Sequence, residues 1–287
     1  YPSVVDFNGD GKADIVGLGS SSGMLSLVYA PGNGDGTFGT ISVLSANFSN
    51  RTSLGLSIAD TDGDGQPDVV VFDVGGISVF RRSAPGVVEP PRFLPFASST
   101  SQLPAEVADF NGDGRQDLAL VQFTGFAARV LVFFAEADGR LALSNILEPS
   151  VSRAARIALA DFNGDGVIDL ALTSAGVNGG QRPHRLGLYL GRGDGTFLAP
   201  SFLAYEGYYS DLRAGDLNGD GITDLIFGGT AEYAILLGLG DGTFQPIRRQ
   251  AIAGPTGGFN SSVLIGRFNG DSRVDLIVYG VVVLQGP

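Results

Sequence analysis

Residues 6–14 read Asp-Phe-Asn-Gly-Asp-Gly-Lys-Ala-Asp, and the pattern returns in nonapeptides that begin at Asp60, Asp109, Asp161 and Asp216. An altered sixth copy begins at Arg267. The first positions of successive copies lie 54, 49, 52, 55 and 51 residues apart. A period of about 50 residues is typical of a four-stranded propeller blade and exceeds that of the shorter solenoid repeats. We name the six copies loops 1 to 6, in chain order.

Short β-rich runs and turn signals surround each loop. Loop 2 ends in the run Asp68-Val-Val-Val-Phe72, and the sequence Gly-Asp-Gly-Thr-Phe occurs at 34–38, 193–197 and 240–244, with a weaker version at 137–141. Asp-Gly between two apolar runs is a strong hairpin signal. Because no window shows a sustained helical period, we predict an all-β fold. Each blade then consists of strand a, the Asp loop, strand b, a loop, strand c, the second turn and strand d.

The six repeats predict a single β-propeller domain over 1–287. The first blade has only a stub of strand a, and the sixth ends after strand c. A seven-bladed ring with part of the chain absent is the alternative. The blades are expected at about 1–48, 49–97, 98–147, 148–204, 205–253 and 254–287.

Composition excludes several classes of site and partner. The chain has no Cys and one His, so disulfides, Cys-ligated zinc and multi-His metal sites are excluded. The net charge of -12 argues against nucleic-acid binding. No apolar run reaches the roughly 18 residues of a membrane span, so no membrane insertion is expected. The chain begins at Tyr1 without a recognisable leader, which is expected of a mature secreted product or of an excised fragment.

The loops offer the ligands of a hard cation. Positions 1, 3, 5 and 9 carry Asp or Asn in loops 1 to 5, position 7 offers a backbone carbonyl, and Gly at positions 4 and 6 lets the chain curl. Oxygen donors in a flexible loop favour calcium over magnesium. A turn without metal is the alternative, but a turn needs only one or two such residues, and crowded carboxylates repel one another without a cation.

We therefore predict about five calcium ions. The predicted ligands are Asp6, Asn8, Asp10, Lys12 and Asp14; Asp60, Asp62, Asp64, Gln66 and Asp68; Asp109, Asn111, Asp113, Arg115 and Asp117; Asp161, Asn163, Asp165, Val167 and Asp169; and Asp216, Asn218, Asp220, Ile222 and Asp224. The six loops hold 18 of the 30 acidic residues.

Loop 6 is expected to be free of metal. Arg267 replaces the first ligand and Ser272 replaces the Gly at position 6. The guanidinium would pair with Asp271 and Asp275 in place of the ion.

The calcium is expected to be structural. A catalytic ion needs an open coordination position and a nearby acid or base, whereas these loops repeat with the same ligand set and supply all of it themselves. Modules of this kind need a calcium-rich location. We therefore expect a secreted or cell-surface protein, extracellular or periplasmic.

The loops and the Gly-Asp-Gly-Thr-Phe turns together resemble the FG-GAP/VCBS repeat family over Asp6 to Asp275. The resemblance implies calcium-bearing propeller blades of the kind found in integrin α-chains, secreted bacterial proteins and some fungal lectins. It also implies a role in adhesion or ligand binding, without fixing the ligand.

The loops on the face opposite the Asp loops are the expected ligand site. Two of them, 174–185 and 205–211, should meet at the boundary of blades 4 and 5, and aromatic, Arg, Asn and Asp side chains suit a sugar or a peptide. The candidate ligand-binding residues are Asn178, Arg182, His184, Arg185, Tyr205, Tyr208, Tyr209 and Asp211.

Three functions compete on this sequence. The first is a non-catalytic module that binds a carbohydrate or an extracellular protein, as a lectin or adhesin. The second is a scaffold domain of a larger surface protein. The third is a polysaccharide-active lyase or hydrolase, in which His184 beside Arg182 and Tyr208 would abstract a proton.

Overall fold

The computed structural model describes residues 2–21, 23–49, 53–95, 105–124, 127–147, 156–174, 184–207, 209–229, 232–251, 263–266, 274–278 and 281–283. All regular structure in these residues is β-strand. A search of them for a helix that could span a bilayer found none. The chain divides into two compact units, with three larger sheets in each and a two-stranded sheet in unit 1.

Unit 1 holds the first three sheets, each antiparallel and four-stranded. The first is made of β1 (Ser3–Val5), β2 (Asp14–Ser21), β3 (Met24–Ala30) and β4 (Ser42–Ser49). The second is made of β5 (Ser53–Ala59), β6 (Asp68–Asp73), β7 (Gly76–Phe80) and β10 (Arg92–Pro95). Between β7 and β10 the chain forms a separate hairpin of β8 (Arg82–Ala84) and β9 (Val87–Val88). The third has β11 (Glu106–Ala108), β12 (Asp117–Thr124), β13 (Ala127–Ala135) and β14 (Leu141–Leu147).

Unit 2 holds the other three sheets. The fourth is made of β15 (Ile157–Ala160), β16 (Asp169–Ser174), β17 (His184–Tyr189) and β18 (Ser201–Tyr205). The fifth has β19 (Tyr209–Gly215), β20 (Asp224–Gly229), β21 (Glu232–Leu236) and β22 (Arg248–Ala251). The sixth, in the described part of the chain, has β23 (Val263–Gly266), β24 (Asp275–Val278) and β25 (Val281–Val283).

The second strand of a sheet is buried on both faces, which explains its uninterrupted apolar sequence. In β6, Val69 and Val71 pack into a cluster with the first sheet, whereas Val70 and Phe72 pack into a cluster with the third. In β20, Leu225 packs towards the fourth sheet in the same way. Successive side chains of a strand point to opposite faces, so each such strand joins two neighbouring cores within its unit.

The outermost strands are exposed. All four residues of β22 and the first four of β18 are exposed to solvent. The short strand a of the first blade is confirmed, because β1 has three residues. The assignment of residues 1–287 to one domain stays a prediction.

Candidate functional site

Loops 1 to 5 share one backbone conformation, set by the Asp at position 1. In loop 4, Oδ1 of Asp161 accepts the N–H of Gly164 at 2.7 Å and Oδ2 accepts the N–H of Gly166 at 2.8 Å. The same bonds form in the other four loops. The glycines at positions 4 and 6 have φ between 72° and 85°, a region that a side chain would strain. The chain therefore curls around the first carboxylate.

The side chains at positions 3 and 5 turn into the same curl. Oδ1 of Asn163 accepts the N–H of Asp165 at 3.0 Å, and Oδ1 of Asp165 accepts the N–H of Val167 at 2.8 Å. In loop 2, one carboxylate oxygen from each of Asp60, Asp62 and Asp68 lies within 4.8 Å of the other two. In loop 2, three carboxylate oxygens are thus gathered about one point.

The Asp at position 9 is buried and joins the loop to the turn between strands c and d. In loop 5, Oδ2 of Asp224 accepts the N–H of Leu217 at 2.9 Å and Oδ1 accepts the N–H of Gly238 at 2.8 Å. Equivalent Oδ1 bonds reach Gly32, Arg82, Ala135 and Gly191. The Asp loop and the c–d turn therefore lie at the same end of the blade.

Burial disfavours the ionised form of these Asp side chains at position 9. It raises the pKa of Asp68 and Asp117 to about 6, and it raises the pKa of Asp169 and Asp224 as well, whereas the backbone N–H donors oppose the rise. A carboxylate that is taken out of water is stabilised by a nearby cation.

The residues present fit a hard cation. All side-chain donors at positions 1, 3, 5 and 9 are carboxylate or amide oxygens, which suits calcium and not a metal that prefers nitrogen or sulfur. Each carboxylate oxygen that accepts one N–H keeps a lone pair for a metal. Each of loops 1 to 5 can hold one such ion.

The predicted ligand face is only partly described, since Asn178, Arg182 and Tyr208 lie outside the described residues. The placement of Tyr205, Tyr209 and Asp211 in a loop was wrong: they lie in β18 and β19. These two tyrosines are 4% and 7% exposed and pack with Phe227 at ring distances of 5.1 and 5.5 Å.

Asp211 is also buried, and its Oδ2 accepts the N–H of Val263 at 2.8 Å, which joins β19 to β23. His184 stacks on Tyr205 with the ring centroids 5.5 Å apart. Arg185 is exposed and lies over the ring of Phe202 at 5.9 Å. Of the described candidates, Arg185 is the exposed one.

A groove in unit 2 lies between strands c and d of the fourth sheet and the c–d turn of the fifth. It has a cavity volume of about 200 Å³. Phe202 and Leu203 on its rim are 49% and 40% exposed, and Ser201 and Thr243 offer hydroxyl groups. The groove is lined by Leu186, Leu188, Ser201, Phe202, Leu203, Gly242, Thr243 and Phe244. We call it the 4/5 groove.

Unit 1 has a groove at the equivalent position, between the second and third sheets, with a volume of about 100 Å³. Arg92 takes the place of Ser201 and Arg140 that of Thr243. Both guanidinium groups pair with Asp138, at 3.7 and 3.2 Å. This groove is therefore narrowed by an ion-pair cluster, whereas the 4/5 groove is uncharged.

A model of the FG-GAP-like repeat matches the chain five times, over 6–71, 60–121, 109–172, 174–227 and 216–278. The chain belongs to the FG-GAP-like repeat family. Four of its five matches begin at the first residue of an Asp loop, at 6, 60, 109 and 216. No curated protein matches the sequence.

Solved structures with the same fold as this FG-GAP-like chain have low sequence identity to it. A lectin of Agrocybe aegerita that recognises non-reducing terminal N-acetylglucosamine is 23% identical, with a TM-score of 0.64, over 87% of this chain and 65% of the lectin chain. A chain of the Photorhabdus luminescens Tc holotoxin pore is 21% identical, with a TM-score of 0.55, over 96% of this chain and 13% of that one. A Streptococcus pneumoniae sialidase is 13% identical, with a TM-score of 0.50, over 98% and 52%. The prediction of an all-β propeller of four-stranded blades is confirmed.

Sequence reasoning on this FG-GAP-like chain missed two features of the site. One is the pairing of the ninth Asp with the c–d turn, which spans 14 to 22 residues of chain. The other is an ion pair between Arg81 and Asp62 of loop 2. The sequence gives one indication of this ion pair: among loops 1 to 5, loop 2 alone has Asp rather than Asn at position 3.

Proposed function

We propose that this FG-GAP-like chain is a non-catalytic propeller that binds a carbohydrate, with the 4/5 groove as its binding site. The observation that carries the proposal is the groove itself, which combines an exposed aromatic ring with two hydroxyl groups. Aromatic rings stack on the apolar faces of sugars, and hydroxyl groups bond their polar edges. The likeness to an N-acetylglucosamine-recognising lectin supports the same function.

We also propose that loops 1 to 5 each hold one structural calcium ion. The shared loop conformation, the oxygen-only donors and the buried ninth Asp support this role. Because each loop supplies its own ligands, the ion would stabilise a blade rather than act on a substrate. A calcium-dependent fold of this kind suits a secreted or cell-surface protein.

Catalysis by His184 is not part of the proposal. Its imidazole stacks on the ring of the buried Tyr205 at the start of β17, and a ring held in this way serves packing. A His184→Ala variant that loses hydrolytic or lyase activity present in the parent chain would reverse this view.

A glycan array with the calcium-loaded chain tests the carbohydrate proposal. We expect selective binding, with about tenfold loss or more in Phe202→Ala, because a stacked aromatic ring contributes on the order of 1 kcal/mol or more. Leu239→Ala is the matched control, since Leu239 is 51% exposed and lies outside the groove lining. Equal binding by the parent chain and Phe202→Ala would show that the binding site is not the 4/5 groove. If the parent chain binds no glycan on the array, the proposal of carbohydrate binding is overturned.

Metal analysis after dialysis in millimolar calcium tests the second proposal. We expect about five calcium ions per chain and a lower melting temperature after chelation. Protein without bound calcium would refute it.

A further inference from the structure

The positive charges of the chain are unevenly distributed over loops 1 to 5. In unit 1 a basic side chain contacts each of loops 1, 2 and 3. In the described part of the chain, no ion pair joins a Lys or Arg to an acid of loop 4 or loop 5 in unit 2. Among the described residues, the loops of the two units therefore differ in their basic neighbours.

Loop 2 has the most direct contact. The Arg81 guanidinium pairs with the carboxylate of Asp62, and the exposed fractions of the two side chains are 23% and 3%. Arg81 directly precedes the residue whose N–H bonds the ninth Asp. The residues in the same place in the other four blades are all apolar: Pro31, Phe134, Leu190 and Leu237.

Loop 1 has two basic neighbours. Arg82 is 8% exposed, and its Nη2 donates to the carbonyl oxygen of Asn8 at 3.3 Å. Nζ of Lys12 lies 3.8 Å from Oδ2 of Asp10. Arg82 belongs to blade 2 and contacts the loop of the preceding blade. In blade 5, which follows loop 4, glycine stands in the place of Arg82, at Gly238.

Loop 3 carries its own arginine at position 7. The Arg115 guanidinium pairs with Asp113, and its Nε donates to the carbonyl oxygen of Ala135 at 2.8 Å. The second bond joins the Arg115 side chain to the residue whose N–H bonds the ninth Asp of the same loop. Position 7 is Val167 in loop 4 and Ile222 in loop 5.

We propose that Arg81, Arg82 and Arg115 are built-in counter-ions, which let loops 1 to 3 stay folded without a divalent cation, whereas loops 4 and 5 depend on one. The inference rests on the proposed calcium role. An arginine beside a carboxylate relieves the repulsion that a cation otherwise removes, and it also competes with that cation. Loops 4 and 5 should therefore bind calcium about tenfold or more tightly than loop 2.

Hydrogen exchange of the full chain, followed by mass spectrometry in calcium and in chelator, tests the proposal. We expect chelation to raise the exchange of loops 4 and 5 strongly and that of loops 1 to 3 little. If metal analysis finds calcium and all five loops lose protection equally, the counter-ion proposal is wrong while the calcium role stands. If metal analysis finds no calcium, the calcium role fails instead.

Two variants test the arginines themselves. Arg81→Gln should make the protection of loop 2 against exchange sensitive to chelator. Arg92→Gln is the control, because it also removes a partly exposed arginine from ion pairs in unit 1, and it should leave loop 2 insensitive to chelator. Val167→Arg places a basic side chain at position 7 of loop 4 and should make that loop resist chelation. If the chelator sensitivity of loop 2 in Arg81→Gln and of loop 4 in Val167→Arg equals that of the parent chain, the proposal is overturned. If a variant does not fold, hydrogen exchange of the parent chain in calcium and in chelator still tests the proposal.

Discussion

The ninth residue of an Asp loop works on two turns at once. Asp224 accepts one buried N–H from its own loop and another from the c–d turn. Because both donors are buried with it, neither can turn to water when the carboxylate is removed. In the folded blade this residue therefore joins the Asp loop to the c–d turn.

Asp14→Ala should lower the free energy of unfolding by about 3 kcal/mol, because it orphans the buried N–H groups of Phe7 and Gly32 and each orphaned buried donor costs about 1–3 kcal/mol. Urea unfolding in chelator measures the effect without any contribution from metal, since loop 1 is expected to stay folded there. Asp10→Ala is the control, because Asp10 is exposed and its loss should cost under about 1 kcal/mol. Equal losses from the two variants in chelator would contradict the anchoring role.

The residues of the candidate site differ in how far the sequence predicts them. Positions 1, 3, 5 and 9 follow from a local pattern, because loop curl and side-chain direction are set within nine residues. The Arg81–Asp62 pair depends on tertiary proximity and carries no local pattern. Tyr205 and Tyr209 were expected in a loop, but they end and begin strands, and their rings pack inward on Phe227.

At the scale of elements, the c–d turn of the fifth blade packs onto the Asp loop of the fourth. In unit 2, the N–H of Gly242 donates to the carbonyl oxygen of Phe162 at 3.0 Å, and the rings of Phe162 and Phe244 meet edge to face at 6.0 Å. The Gly-Asp-Gly-Thr-Phe sequence thus makes a turn and also supplies the contact between neighbouring sheets.

Phe244→Ala should lower the free energy of unfolding by about 2–3 kcal/mol, because it removes a ring from a partly buried contact between two sheets. Phe38→Ala removes the equivalent ring of the first blade, which is 42% exposed, and should cost under about 1 kcal/mol. Chemical denaturation in saturating calcium compares the two. If Phe38→Ala lowers the free energy of unfolding as much as Phe244→Ala does, the ring stabilises only its own turn and not the contact between sheets.

The elements were more predictable than their boundaries. Repeat period, Asp-Gly turns and β-rich runs specify four strands per blade, and they do so because each signal is local. The hairpin of β8 and β9 was not predicted, since the second blade lacks the Gly-Asp-Gly-Thr-Phe sequence there.

At the scale of the whole molecule, the charge of the chain should depend on metal. The net charge is -12, and each bound Ca²⁺ adds two positive charges, so five ions would leave -2. Native electrophoresis should therefore show a marked fall in mobility towards the anode in calcium compared with chelator. Magnesium at the same concentration is the control, because it prefers a stricter octahedral geometry and should shift the mobility less. Equal mobility in calcium and chelator would count against ion binding.

In loops 1 to 5 the c–d turn meets the ninth Asp through a backbone N–H, and this donor belongs to Gly, Arg or Ala in different blades. The side chain at that point and the connection that follows it are thus free to change, as the β8–β9 hairpin already illustrates. For protein engineering, the tip of this hairpin at Pro85 and Gly86 is an entry point where a foreign peptide could be displayed without disturbing the blade end.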